Sequence, residues 1–223
     1  MKRTPFRTLA SLVLAMTAAT TIARANTIYD NFGPGQTYDI NYGYQVVKTG
    51  FGLDKLVAVS FLPKADYTLT QIELGLNWTA CNICGNDGAT IDLVSSVNGL
   101  PGSTVLESWS PGHLAALGSA DNLMSHKIVT LMGGTEYWIV AHPNGFDGWN
   151  WNNQGYTGHV ATSNSDGASW SIPMSYGGYP AETPAFAVLG NPVVTSTPEP
   201  SSLMLLGSGA LGTLGVIRRR FKA

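Results

Sequence analysis

Between Asn26 and about Thr195 the chain is interrupted by Gly, Pro, Asn or Asp every ~8–12 residues, and the intervals are rich in Val, Ile, Leu, Thr and aromatic residues. None of these intervals reads as a helix, and their β-rich composition predicts brief strands joined by tight turns. The clearest run is TQIELGLNW (Thr70–Trp78), where Ile72, Leu74, Leu76 and Trp78 alternate with Glu73, Gly75 and Asn77. A period of two places the apolar set on one face of an antiparallel strand and leaves the other face to solvent. LVAVSFL (Leu56–Leu62) and TEYWIVA (Thr135–Ala141) are apolar on both faces and read as central strands. Further strands are expected at Ala89–Ser96, Thr104–Ser110, His126–Leu131, Gly158–Ser163 and Ala185–Gly190, with GLPGS (Gly99–Ser103) as turn chemistry. About eight strands in a chain of this kind predict an all-β fold, two packed antiparallel sheets in a jelly-roll-like sandwich.

Charge is sparse and segregated. Charged residues make up 12% of the chain against 44% hydrophobic, and the net charge is −2. Residues 26–197 hold four Lys, no Arg and thirteen Asp or Glu, a net of −9. A body without Arg and with that sign lacks the cationic footprint that binding a phosphate backbone requires, which excludes nucleic acid as a partner.

The two ends carry the positive charge. At the front, Lys2, Arg3 and Arg7 precede an apolar stretch from Leu9 to about Ala19, and Ala23-Arg24-Ala25 supplies a small-x-small cleavage site. Those three parts in that order predict a secretory signal peptide over residues 1–25, cleaved after Ala25. At the back, Leu203–Ile217 is free of charge and is followed by Arg218-Arg219-Arg220. A helix over about 201–217 is marginally long enough for a hydrocarbon core of ~30 Å, and the Arg cluster would hold its end on the cytoplasmic side. Ahead of it stands Pro198-Glu199-Pro200.

Pro198-Glu199-Pro200, the Ser/Leu/Gly-rich span and the terminal Arg cluster together resemble a PEP-CTERM sorting signal. That resemblance implies an envelope protein of a Gram-negative bacterium, recognised by an exosortase and held in the inner membrane by its tail. The tail is then removed near the motif, in association with exopolysaccharide or biofilm. With the readings above, the expected organisation is signal peptide 1–25, sandwich 26–190, linker 191–197 and sorting signal 198–223. The body, through VSFLPKADYTLTQIELGL, VNGLPGSTVLES and VTLMGGTEYWIVA, resembles choice-of-anchor-type β-sandwich domains of anchored bacterial surface proteins. That likeness brings no catalytic residues with it.

Three stretches could carry chemistry. Cys81 and Cys84, the only cysteines, fit a loop-stapling disulfide in an oxidising compartment. Free thiols, half of a metal site and a redox pair are the other readings, and the Gly-Asn-Asp-Gly that follows opposes the helix a redox pair needs. NGFDGWNWNNQGY (Asn144–Tyr156) places Trp149 and Trp151 two apart, on one side of an extended segment, amid Asp147, Asn152 and other amides. Trp149, Trp151 and Tyr156 could stack on sugar rings while Asp147 and Asn152 take hydroxyls; equally, the indoles could plug the sandwich core. Oxygen-rich turns at Asn86–Gly88, Asp147-Gly148 and Asn164–Gly167 offer ligands for a structural calcium ion but lack EF-hand spacing. No catalytic motif is present, no carboxylate pair stands out, and no cofactor is expected. A non-enzymatic matrix or adhesive protein is thus the first expectation, a carbohydrate-binding module the second and an exported hydrolase a distant third.

Overall fold

The computed structural model describes residues 25–48, 54–78, 88–176 and 179–194. The signal segment, Cys81 and Cys84, Asn86 and Asp87, and the sorting tail lie outside the described residues. Among those described there is no helix. In chain order the strands are β1 (Asn26–Asp30), β2 (Gly43–Val47), β3 (Leu56–Phe61), β4 (Tyr67–Leu74), β5 (Leu76–Trp78), β6 (Ala89–Val97), β7 (Leu100–Trp109), β8 (Asp121–Met124), β9 (Thr130–Leu131), β10 (Tyr137–Pro143), β11 (Phe146–Asn150), β12 (Val160–Ser163), β13 (Ser175–Tyr176), β14 (Tyr179–Pro180) and β15 (Phe186–Pro192).

Two five-stranded antiparallel sheets form the sandwich. One runs β1-β15-β4-β8 with β9 also on β4, the other β12-β3-β10-β6-β7. Ile72, Leu74, Phe186, Val188, Leu123 and Leu131 of the first sheet meet Val57, Val59, Phe61, Ile91, Leu93 and Ile139 of the second in one buried cluster. Each such side chain contributes about 1.5–3 kcal/mol when taken fully out of water. As the two-faced apolar patterns require, β3 lies between β12 and β10, and β10 between β3 and β6. Every residue of β3 is buried.

Three details depart from the sequence expectation. The run Thr70–Trp78 is not solvated on its second face: Glu73 and Asn77 are buried, while Trp78 at its end is exposed. The segment 31–42 folds over that face, where Gln36 Nε2 donates to Glu73 Oε2 at 2.5 Å and Gln71 Nε2 to Oε1 at 2.7 Å. Burial, and then the charge of Asp30, push the Glu73 carboxyl above its usual value against the opposing bond from Gln36. Second, the β6–β7 hairpin turns at Asn98-Gly99 rather than through GLPGS, because both residues take positive φ (53° and 74°), as a two-residue type I′ turn demands. Pro101, Gly102 and Ser103 already belong to β7. Third, His126–Leu131 yields only the two-residue β9, and the stretch before it supplies β8.

A third sheet, β2-β11-β5, extends the first: β4 runs on through Gly75 into β5. The segment that reads in sequence as an extended binding loop is its central strand. Gly43 permits this pairing, since a Cβ there would lie 2.7 Å from the Trp149 carbonyl oxygen.

Candidate functional site

In β11 the side chains alternate between the sandwich and the outside. Trp149 faces Tyr44 on β2 and Leu76 on β5, all three buried. Its Nε1 donates to the Ala185 carbonyl at 3.0 Å. Trp151 is buried too, edge-on to Tyr44 and stacked beneath Tyr42, whose ring centre is 5.6 Å away at 16°. Asp147 points to the same inner side and is fully buried. Neither indole therefore presents a face to a sugar, because the pairing that turns Gly148 and Asn150 outward turns Asp147 and Trp149 inward.

Asn152 is committed to its own loop. Its Nδ2 donates to the carbonyls of Tyr156 (2.8 Å) and Thr183 (2.7 Å), and its Oδ1 accepts the N–H groups of Gln154 (2.9 Å) and Tyr156 (3.0 Å). Tyr156 alone of the sequence candidates is exposed. It lies near Tyr29, whose hydroxyl burial, then Tyr156 and Asp30, push up to about 12.

The outer face of the third sheet forms a cleft of about 340 Å³. Gly43 and Gly148 leave its floor bare, and Gln45, Asn77 and Asn150 bring amides to it. Ile40, Tyr42, Leu117 and Phe146 supply apolar walls. The cleft is held open by side-chain bonds. Asn77 Nδ2 donates to Asn150 Oδ1 and, at 3.2 Å, to the Gly148 carbonyl. Asn150 Nδ2 in turn donates to the Asp39 carbonyl at 2.7 Å, and Asp39 Oδ1 accepts from the N–H groups of Asn41 (2.7 Å) and Tyr42 (3.2 Å). Tyr42 is thus fixed over Trp151 with roughly half its surface in solvent. The buried Asp147 also borders it, and a hollow with one stacked ring, several amides and a single carboxylate suits a polyhydroxylated ligand. Sequence reading missed Tyr42, Gln45 and Asn77, while Asn150 stands among the amides it placed around the two indoles. The Asn-Tyr-Gly-Tyr-Gln run (41–45) carried the nearest signal, but its meaning depends on the distant strand β11.

A smaller cleft, about 230 Å³, lies outside the second sheet between Trp170 and Pro101–Val105. At its end His142 Nε2 is 3.2 Å from Asp92 Oδ2. Burial alone would raise the Asp92 carboxyl, but bonds from His142 and Ser108, with the His142 charge, outweigh it and hold the group below its usual range. Of the oxygen-rich turns, Asn164–Gly167 is organised by Ser163 Oγ, which accepts the N–H groups of Ser165 (3.2 Å) and Gly167 (3.0 Å). Among the described residues no group of three or more His, Cys, Asp or Glu side chains is placed to hold a metal ion.

The described chain is thus an all-β antiparallel, sandwich-like domain with a preformed, amide-lined cleft. Beyond the sandwich the chain ends in a sorting signal: residues 196–220 match the family model of the PEP-CTERM protein-sorting motif. That motif marks an exported protein targeted to an exosortase, anchored in a membrane before processing and at the surface afterwards. No curated protein and no solved structure matches the chain.

Proposed function

We propose that this is a non-enzymatic matrix or adhesive protein of a Gram-negative envelope, released by an exosortase into or near an exopolysaccharide layer. The observation that carries the reading is the sorting motif at 196–220, which begins four residues after β15 ends at Pro192 and so leaves the sandwich whole when the tail is removed. Intact-mass measurement tests it: protein from a strain lacking the exosortase should keep the tail through Ala223, while wild-type protein should end near Pro198. Equal masses would remove exosortase processing from the account.

A second reading, carbohydrate binding, is favoured by the Tyr42–Trp151 stack at the cleft. Here Tyr42 is the stacking surface and Gln45, Asn77 and Asn150 the hydroxyl partners; Trp151 backs the platform from below. Aromatic contacts of this kind are worth ~0.5–1.5 kcal/mol beyond area. Tyr42→Ala should therefore weaken binding of neutral extracellular polysaccharide about fivefold in calorimetry. Unchanged affinity in a folded variant would take the cleft out of the role.

A further inference from the structure

β1 and β15 are antiparallel neighbours, with Asn26 opposite Gly190. The first and last strands therefore bring both chain ends out at one end of the sandwich. Two loops cross between the sheets at that same end: 62–66, from β3 to β4, and 132–136, from β9 to β10. They are knit to each other and to the departing chain. Gly134 N donates to the Pro63 carbonyl at 2.8 Å, Gly133 N to Asp66 Oδ1 at 2.8 Å, and Val193 N to the Asp66 carbonyl at 2.9 Å. On this fixed frame Leu62 is 55% exposed, Met132 49%, Val193 40% and Val194 90%. The titratable side chains on the two loops are Lys64, which is exposed, Asp66, which accepts from Gly133, and Glu136, which accepts from Ser96 Oγ at 2.6 Å. The amide-lined cleft lies at the opposite end, beyond Gly75.

Chain length fixes how far this end can stand from the tail. Pro198 lies four positions beyond Val194, a reach of at most ~14 Å, and the start of the apolar span at 201 lies seven positions beyond it, at most ~25 Å. Four exposed apolar side chains on a hydrogen-bonded frame, tethered that closely, meet a bilayer before any other surface.

We propose that this end rests on the membrane: Leu62, Met132, Val193 and Val194 enter the headgroup–acyl boundary of the bilayer that holds the tail. The contact presents the sorting motif at the membrane surface and turns the cleft outward. Insertion of a few apolar side chains to about 5–10 Å is the depth at which interfacial segments bind. The inference rests on the membrane-anchored tail.

The test uses the full chain in lipid nanodiscs, one chain per disc, with methyl NMR and gadolinium-labelled lipid. Methyl signals of Leu62, Met132, Val193 and Val194 should lose at least about threefold more intensity than those of Ile40 and Leu117 beside the cleft. Leu62→Glu/Met132→Glu, and independently Val194→Glu at a position too exposed to affect folding, should reduce that contrast to near parity. A contrast that persists in both variants would mean that the short tether alone sets the orientation, and would overturn the proposal. Equal broadening of both ends in the unaltered protein would do the same. Failure of the chain to co-elute with the discs would instead strike the anchored tail itself, and the resting surface with it.

Discussion

Trp149→Ala is expected to lower the stability of the body by about 3–5 kcal/mol, enough to unfold many domains of this size. The side chain is wholly buried between Tyr44 and Leu76 and is the hydrogen-bond donor to the Ala185 carbonyl. Truncation leaves a large cavity and takes away one of the two bonds to the Ala185 carbonyl, which then keeps only the Gly75 N–H, and both costs fall on the strand that floors the cleft. Urea denaturation followed by far-UV circular dichroism measures it. Tyr42→Ala, which removes a half-exposed ring, should shift the same midpoint little. If Trp149→Ala kept the native midpoint while losing a glycan ligand, the indole would be a surface platform rather than a core side chain.

The second large effect is expected at Glu107, a fully buried carboxylate on the inward side of β7, opposite Leu93. Its Oε2 accepts the Ser125 hydroxyl at 2.8 Å, and its Oε1 accepts the N–H groups of His126 (2.7 Å) and Lys127 (3.2 Å). Those three bonds fix the turn between β8 and β9. Glu107→Ala removes the acceptor of all three bonds at once and leaves a void at a fully buried position, and should cost about 2–4 kcal/mol. The nearby His126 imidazole, 3.1 Å from Oε1, is more than half exposed. A pair so screened adds little, so His126→Ala should stay within ~0.5 kcal/mol of wild type. Amide hydrogen exchange at residues 125–127 distinguishes the two: protection there should collapse in Glu107→Ala and survive in His126→Ala. Equal loss in both variants would assign the turn to the ion pair instead.

Glu107 also marks where sequence reading stops. The pattern predicts its strand, over Thr104–Ser110, but nothing in a period of two tells a polar residue turned inward from one turned out. That depends on the bulges where the β6–β7 register shifts, between Leu93 and Val94 and again before Ser96. The aromatic segment meets the same limit. Spacing alone puts Trp149 and Trp151 on one side of an extended strand, yet which side meets the core is fixed by the partners β2 and β5.

The linear chain by itself determined the all-β class, the central strands β3 and β10, the acidic Arg-free body and the sorting tail. These are local properties: a run apolar on both faces, a count of charges, and a short signal read without folding. Only the tertiary structure decided that Glu73 is roofed by Gln36, that Trp151 backs Tyr42 rather than a ligand, and that both chain ends leave beside Leu62 and Met132. Each of these joins residues far apart in sequence, and such contacts exist only once the strands are paired in register.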